Sequence, residues 1–518
     1  DVCSSDLGAA SGNGINIMQV TAGGSMDIDT WAAVAGVVNN NDDDVIIQTV
    51  AGNLTVVNDV NATGADSTTS RIILIAGGNE NTLIKNDGIQ ILTHDSDIIL
   101  IADNMDLVDT GAGADITTDT ATAGGNVFLR PETLSDEVDI DGAGGVGSTL
   151  DISEAELQTI DTDAANGTVI GTDNLALYNV ITGQITISDD IDVTVITGGG
   201  VGSADSGNLA LYTYNTFTRD DTGASELAAI FDGTQGLLGN EITADQLSLY
   251  AVGTIDVTTA MAAGNLITAE TIGGNADWPF IHDEGADIII DDNGANGITI
   301  AATGTETFDG RKYVQTTDGE IIIQSDANVT LAPDGANSVI DANGDERDVV
   351  IEVTADGTGA GPDGLLTVGA GGAGVEATGD IHLLADHFDI QGTVTVLAGH
   401  SIFVSNEQTT DPGSDTILIG DTNGPIVDDY LRLSAAELIL LEVTGGGGTT
   451  DAVVIGRAIP AVDAALDGET DPADTTTDNL NIIIVGATDL STAETANYSF
   501  VTDGGIFNES LSGGPAFT

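Results

Sequence analysis

Carboxylates are the side chains best placed to do chemistry in this chain. Asp and Glu number 83 against 9 Lys and Arg, a formal net charge of −74. Four adjacent pairs, Asp189–Asp190, Asp220–Asp221, Asp291–Asp292 and Asp428–Asp429, offer the residue type that glycoside cleavage uses as general acid and base. That chemistry fixes the distance between its two carboxyl groups, whereas neighbours on a strand point to opposite faces. A pair alone therefore builds no site. The Gly-His step of AGHSIF at Ala398–Phe403 is of a kind used in polysaccharide cleavage, but no Arg or Lys clamp accompanies it. A chain this acidic also repels an anionic polysaccharide.

Calcium is the second chemistry that so much acid invites. DANGD at Asp341–Asp345 spaces Asp341, Asn343 and Asp345 as an EF-hand loop opens, yet its sixth position is Glu346 instead of Gly and no helices flank it. GAGAD at Gly111–Asp115 matches a fragment of the nonapeptide calcium repeat but stands alone where that motif needs tandem copies. Both read as corners. Weak Ca²⁺ binding spread over Asp-rich turns is expected in place of one defined site, and no cofactor is required. The metal position is left open, and no catalytic or cofactor-binding residue is assigned. His94, His282, His382, His387 and His400 lack zinc spacing and are expected at the surface. Tyr178, Tyr212 and Tyr250 close the related segments NLALY, NLALY and QLSLY on the outward parity, where they cover strand ends or form an exposed row. Phe128 and Phe403 share that parity, which requires something to cover them.

The elements that carry these residues are strands. Apolar runs of four to eight residues, such as RIILIAGG and EIIIQSDANVTLAP, close on Gly or Asp, and no long stretch has helical spacing. No run approaches the ~20 apolar residues of a membrane-spanning helix. Strand starts every ~8–12 residues predict coils of ~20–25 residues. At ~4.8 Å per coil these would stack into a rod of order 100 Å. Internal duplication supports stacking. DIILIADNMDL at Asp97–Leu107 returns as DIHLLADHFDI at Asp380–Ile390, GGNVFLRP as GHSIFVSN, and LDISEAEL at Leu150–Leu157 as LRLSAAEL at Leu431–Leu438. Each copy then reaches a VIG triplet, Val169–Gly171 or Val454–Gly456.

The differences between copies sort the two faces. Ile98, Leu100 and Ala102 persist as Ile381, Leu383 and Ala385 and should point inward. Ile99 becomes His382 and Asp151 becomes Arg432, so both positions should be exposed. The inward phase shifts at Met105 and Leu107, and at Phe388 and Ile390, which places a corner at Asp103–Asn104 and Asp386–His387. The expected fold is all-β, a parallel β-solenoid with Asp/Gly-rich corners, continuous over 8–518. Its duplication relates about 90–171 to about 373–456.

With 41% hydrophobic residues the chain has the apolar area to fold despite its charge. Its acidity disfavours nucleic acid and anionic membranes, since no basic patch exists to release counterions. Saline surroundings or bound divalent cations would screen the self-repulsion. That fits an extracellular setting and, equally by composition, a halophile interior. The only cysteine is Cys3, in DVCSSDL. Asp1–Leu7 reads as the translation of a common sequencing-adapter oligonucleotide and is set aside as an artefact. The rest of the chain is then cysteine-free and has no disulfide framework. It is expected to be an internal fragment.

The units TGDIHLLADHFDI…VLAGHSIFVSN and LDISEAELQTI…TVIGTDNLALYNVITGQITIS, with EITADQLSLYAVGTIDVTT at Glu241–Thr259, resemble the repeats of filamentous-haemagglutinin-type exoproteins. This resemblance runs from about Arg71 to Gly456. It implies a right-handed parallel β-helix, export to the cell surface and a structural shaft in a giant adhesin or matrix protein, without catalysis. Expected partners are a host or neighbouring-cell surface or glycan and other copies of the chain, with no nucleic acid and no direct membrane insertion. The alternatives are a calcium-dependent surface-layer or biofilm-matrix assembly protein and, less favoured, a β-helical polysaccharide hydrolase or lyase.

Overall fold

The computed structural model describes residues 14–20, 24–29, 36–39, 43–62, 70–107, 116–118, 124–133, 136–141, 149–162, 165–171, 182–195, 207–213, 216–218, 225–232, 240–262, 265–272, 286–292, 297–301, 307–332, 338–344, 347–353, 364–405, 416–419, 431–444, 452–456, 481–485, 497–501 and 506–509. Two compact units result. The first comprises Asp1–Gly233, Asn240–Val252 and Phe308–Gly310; the second comprises Thr234–Gly239, Gly253–Thr307 and Arg311–Thr518.

In the first unit the described strands form four parallel stacks, one of them joining Thr149–Ile152, Glu137–Ile140, Ile185–Ile187 and Ile230–Phe231. Its main stack runs Ile15–Gln19, Val45–Thr49, Ile72–Ala76, Ile98–Ile101, Val127–Arg130, Thr168–Gly171, Asn208–Tyr212 and Gln246–Ala251. A second joins Met26–Ile28, Leu54–Val56, Thr82–Lys85 and Asn104–Asp106. The third joins Val37–Asn39, Val60–Ala62, Ile91–Thr93, Ile116–Thr117 and Ile160–Asp161. One antiparallel pair, Thr216–Thr218 with Ser225–Leu227, departs from the pattern.

The second unit repeats the plan. Its main stack runs Ile255–Thr259, Ile288–Asp292, Ile321–Ser325, Val349–Val353, Ile381–Ala385, Ile402–Ser405, Ala452–Gly456 and Asn497–Val501. Three further stacks accompany it, one through Ile298–Ile300, Val329–Leu331, Leu365–Val368 and His387–Ile390, another through Val314–Thr316, Ile340–Ala342, Ala373–Ala377, Thr393–Leu397 and Leu441–Thr444, and a third through Leu431–Leu433, Thr416–Ile419, Asn481–Val485 and Ile506–Glu509. In-register parallel strands visited in rotation define a parallel β-solenoid, as the sequence predicts. Most of these coils are longer than expected: equivalent residues before the main strand lie 27 and 29 apart in the first unit and 33 and 32 apart in the second, while the step of 21 from Asp380 to Ser401 falls within the expected length. Three strands plus corner loops consume more chain than the two or three short strands assumed.

The inward phase is as read. Ile98, Leu100, Ala102, Ile381, Leu383 and Ala385 are fully buried, and the phase shifts at the buried corner residue Asp103 and at Asp386 to bury Leu107 and Ile390. The outward phase needs correction. Ile99 is only 1% exposed and His382 7%, while Asp151 and Arg432 are half-buried. In an in-register parallel stack, an outward side chain lies between its counterparts about 4.8 Å above and below. Ile46, Ile73, Ile99 and Phe128 form such a column, packed with Ile75 and Ile101 into an apolar cluster on the outer face.

Two short helices interrupt the strands. LDISEAEL and LRLSAAEL each fold a short one, α1 (Glu154–Leu157) and α2 (Ala435–Ile439). The VIG triplets end on Gly171 and Gly456, both with positive φ. A Cβ there would strike the carbonyl of Tyr212 or Val501 on the next strand, so only glycine fits. Among the described residues no helix is long and apolar enough to cross a membrane.

Candidate functional site

The acids resolve into a recurrent device at the start of strands. Where a coil's strand begins, the preceding Asp or Asn accepts the backbone N–H of the equivalent residue on an adjacent coil. Asp44 Oδ1 takes Arg71 N–H at 3.0 Å, Asp97 Oδ1 takes Asn126 N–H at 3.0 Å, and Asn126 Oδ1 takes Gly167 N–H at 3.0 Å. Asn53 serves Thr82 and Asp59 serves Gln90 in the same way. In the second unit Asp287 takes Glu320 N–H at 2.8 Å, Asp348 takes Asp380 N–H at 2.6 Å, and Asp380 takes Ser401 N–H at 2.7 Å. Asn328 serves Leu365. A strand's leading N–H would otherwise lack a partner, and a charge-assisted bond satisfies it well. These acids are thus committed to holding one coil on the next.

The duplicated S-x-x-E segments build a second clamp. Ser153 Oγ accepts Glu156 N–H and Glu156 Oε2 accepts Ser153 N–H at 2.8 Å, a reciprocal capping box. The other oxygen, Oε1, accepts Leu107 N–H at 2.9 Å from a preceding coil. In the second copy Ser434 and Glu437 form the same box, and Glu437 Oε1 accepts Ile390 N–H at 3.2 Å. Burial pushes both glutamates above the usual carboxylate range, against the backbone bonds that pull them down. Both copies therefore carry a carboxylate, buried at Glu156 and half-buried at Glu437, with its two backbone partners, besides the packing.

Asp103 anchors the corner after Ala102. Its Oδ1 accepts the N–H groups of Glu132 and Thr133 at 3.0 and 2.8 Å, and its Oδ2 accepts Glu80 N–H at 3.0 Å and the Thr133 hydroxyl at 2.8 Å. Burial first, then the charge of Asp103, pushes the Asp136 acid up to about 7.

Of the acid pairs, Asp291–Asp292 ends a strand with its members on opposite faces, as expected. Asp292 is fully buried and accepts from Thr259 Oγ1, Met261 N–H and Ser325 Oγ. Asp189 and Asp190 form an exposed turn in which Asp190 Oδ1 takes Glu241 N–H. Asp220–Asp221 and Asp428–Asp429 lie outside the described residues, as do Gly111–Asp115, Tyr178, His282 and Asp1–Leu7. Asp341 sits in the strand Ile340–Ala342. Asp345 and Glu346 lie outside the described residues, and the twelfth position from Asp341, Glu352, is in a strand where Gln324 donates to it. Among the described residues no EF-hand geometry arises. Among the described residues no three His, Cys, Asp or Glu side chains converge on a common metal position.

The expectation of surface histidines fails for two. His387 is buried, and His382 stacks on Phe403 with ring centroids 4.7 Å apart and planes at 6°. Both rings occupy the outward column of adjacent strands, which covers them, and burial holds the His382 imidazole below its ordinary pKa. His94 pairs with Asp95 at 3.1 Å and His400 with Asp380 at 3.6 Å. Phe128 is covered partly by Arg130, whose guanidinium carbon sits 4.9 Å above the ring. Tyr212 and Tyr250 meet edge to face at 6.2 Å and are buried, so they form no exposed row. The Phe308–Gly310 segment of the same unit lies on them: Asp309 Oδ2 accepts from the Tyr212 and Ser248 hydroxyls, and Gln246 Oε1 accepts Phe308 N–H at 2.6 Å.

What this arrangement can do is hold a parallel stack in register. No known protein family matches the chain, and no curated protein or solved structure matches it.

Proposed function

We propose that the chain is a structural shaft region of a secreted or surface-displayed adhesin or matrix protein of the filamentous-haemagglutinin type, acting by reach and multivalent contact without catalysis. One observation carries this reading. What recurs between the copies is the buried inward face, the Ser-Glu capping box with its reach to Leu107 or Ile390, and the closing glycine. All of these serve coil-on-coil cohesion. Weak contacts on such a scaffold gain through effective concentration. Binding partners would be glycans or cell surfaces and other copies of the chain, in an extracellular setting. The test compares beads coated densely and sparsely with the full chain on glycan panels and cell monolayers. Retention that grows steeply with coating density supports the reading, and no retention or bead clustering at any density sinks it.

A second reading, calcium-dependent matrix assembly, draws on the row Asp287, Glu320, Asp348 and Asp380, four acids one coil apart. It requires a melting temperature that rises with calcium, and an unchanged melt in chelator rules against it.

A further inference from the structure

Two Ala-Asn-Gly steps lie among the described residues, Ala165–Gly167 and Ala342–Gly344. The second belongs to the DANGD segment, which forms no calcium loop. In an Asn-Gly step the backbone nitrogen of the glycine can attack the side-chain amide of the asparagine, because no Cβ on the glycine obstructs the approach. The three residues are the same in both steps, so a difference in their chemistry is set by the fold.

Gly167 is buried, and its N–H donates to Asn126 Oδ1 at 3.0 Å. A Cβ on Gly167 would lie 2.6 Å from the Asn208 carbonyl oxygen and 2.8 Å from the Phe308 ring, so the peptide is wedged in place. The Asn166 carbonyl is tied as well, accepting Asn208 Nδ2 at 2.8 Å. Here the attacking nitrogen is occupied and the peptide that must turn is held. Asn343 and Gly344 are both exposed, in the corner after the strand Ile340–Ala342. Asn343 N–H donates to the Thr316 carbonyl at 3.1 Å, while no described residue accepts the Gly344 N–H. Gly344 has φ +128°, a conformation that suits glycine. Its nitrogen is open to react.

We propose that Asn343 is a site of spontaneous, irreversible deamidation in the folded chain, whereas Asn166 is protected by its coil. The Gly344 nitrogen gives up its proton to hydroxide and attacks Asn343 Cγ. The N–Cγ bond forms, the Cγ–Nδ2 bond breaks, and ammonia leaves with a proton taken from water. Water then opens the resulting succinimide at one of its two imide bonds, leaving aspartate or isoaspartate at position 343. Water is the only co-reactant and hydroxide is regenerated. Either product adds a carboxylate to a corner that already holds Asp341, next to Gly344, where a Cβ would lie 2.8 Å from Asp318 Oδ1. Isoaspartate also routes the backbone through the side chain, which lengthens the corner leading to Arg347 and its 2.9 Å ion pair with Asp318. The corner becomes more acidic with age, without an enzyme.

The experiment incubates the full chain at mildly alkaline pH, folded and unfolded in denaturant. Mass spectrometry of the two peptides reads the mass gain of amide-to-acid conversion and the isoaspartate content. In the folded chain Asn343 should convert at least roughly tenfold faster than Asn166, the factor expected when one backbone hydrogen bond must break before the Gly167 nitrogen can attack. In denaturant the two rates should converge. Equal rates in the folded chain, or no conversion at Asn343, overturn the proposal. A difference that survives in denaturant also overturns it, since neighbouring residues and not the fold would then set the rate. Asn343→Gln, which would have to close a larger ring, should abolish the mass gain in its own peptide and leave Asn166 as it was. A gain equal to that of the wild type would put the reaction at another residue, and the assignment falls.

Discussion

The row Asp44, Arg71, Asp97, Asn126 in the first unit and the row Asp287, Glu320, Asp348, Asp380 in the second occupy the same place, one residue before the main strand of successive coils. Both use side-chain oxygens to accept N–H groups from the next coil. Their charge patterns differ. In the first row Arg71 grips Asp44 at 2.8 Å, while burial raises the Asp97 acid against the Asn126 N–H bond and the Arg71 charge, and Asn126 interrupts the series with a neutral amide. Four acids follow one another in the second row, and the nearby Arg347 is engaged sideways with Asp318 at 2.9 Å. Like charges about 5 Å apart repel by roughly 1–3 kcal/mol at effective dielectric constants between those of water and of a protein surface. The hydrogen-bonding device is thus independent of charge balance. It works with Asn as with Asp, and with a row of acids in the second unit, where His400 lies 3.6 Å from Asp380.

The clamps below these rows should show the largest effects. Glu156→Ala removes acceptors for two backbone N–H groups, Ser153 and Leu107, and should destabilise the first unit by about 3 kcal/mol, taking about 1.5 kcal/mol for each bond to a charged group. Glu437→Ala should cost the second unit somewhat less, because its bond to Ile390 is longer at 3.2 Å. Urea unfolding with exchange read separately at Leu107 and Ile390 distinguishes the two, and equal, negligible losses would refute the clamp. The pH sign is also fixed. Burial raises Glu156 in the folded state, so its contribution is greatest in acid and declines as pH rises through that raised value. Glu156→Gln should flatten this decline.

The inward face was legible because alternation is a local property: Ile98, Leu100 and Ala102 declare their phase within five residues, and the second copy repeats it. The outer face was not. Whether Ile99 is wet depends on Ile73 and Phe128, which lie one coil away, and coil length cannot be counted through variable corners. Tyr212 and Tyr250 were misread for the same reason, since Phe308 and Asp309 cover them from a remote stretch of chain. The S-x-x-E signature of LDISEAEL was available in the sequence. A helix of one turn has no 3.6-residue periodicity, so only this capping signature marks it. Asp and Asn before strands read correctly as corners, but their partners are again a coil away, so the acids looked like candidate sites for chemistry instead of fasteners.

Matched substitutions test the two rows directly, with smaller effects of opposite sign. Asp44→Asn keeps an oxygen for Arg71 N–H but loses the ion pair, which is about a third exposed, so it should cost only about 0.5–1 kcal/mol. Asp348→Asn keeps the acceptor for Asp380 N–H while removing a charge between Glu320 and Asp380, and should stabilise by a similar amount at low salt. If both changes destabilise, the acid row is not repulsive and something unaccounted for neutralises it.

The smallest effect is that of salt on the unmodified chain, and it isolates the same difference without a mutation. Screening at 1 M ionic strength shortens the Debye length to about 3 Å, less than the spacing between coils. It weakens the attraction of Arg71 for Asp44 and the repulsion within Asp287–Asp380 alike. Exchange at Arg71 and Asn126 should therefore quicken slightly on adding salt, while exchange at Glu320 and Asp380 slows, each by a few tenths of a kcal/mol. An inert salt and a calcium salt compared at equal ionic strength separate screening from binding. If the second row responds to ionic strength alone, its acids are fasteners that tolerate their charge, and if it responds to calcium beyond that, the row also collects cations.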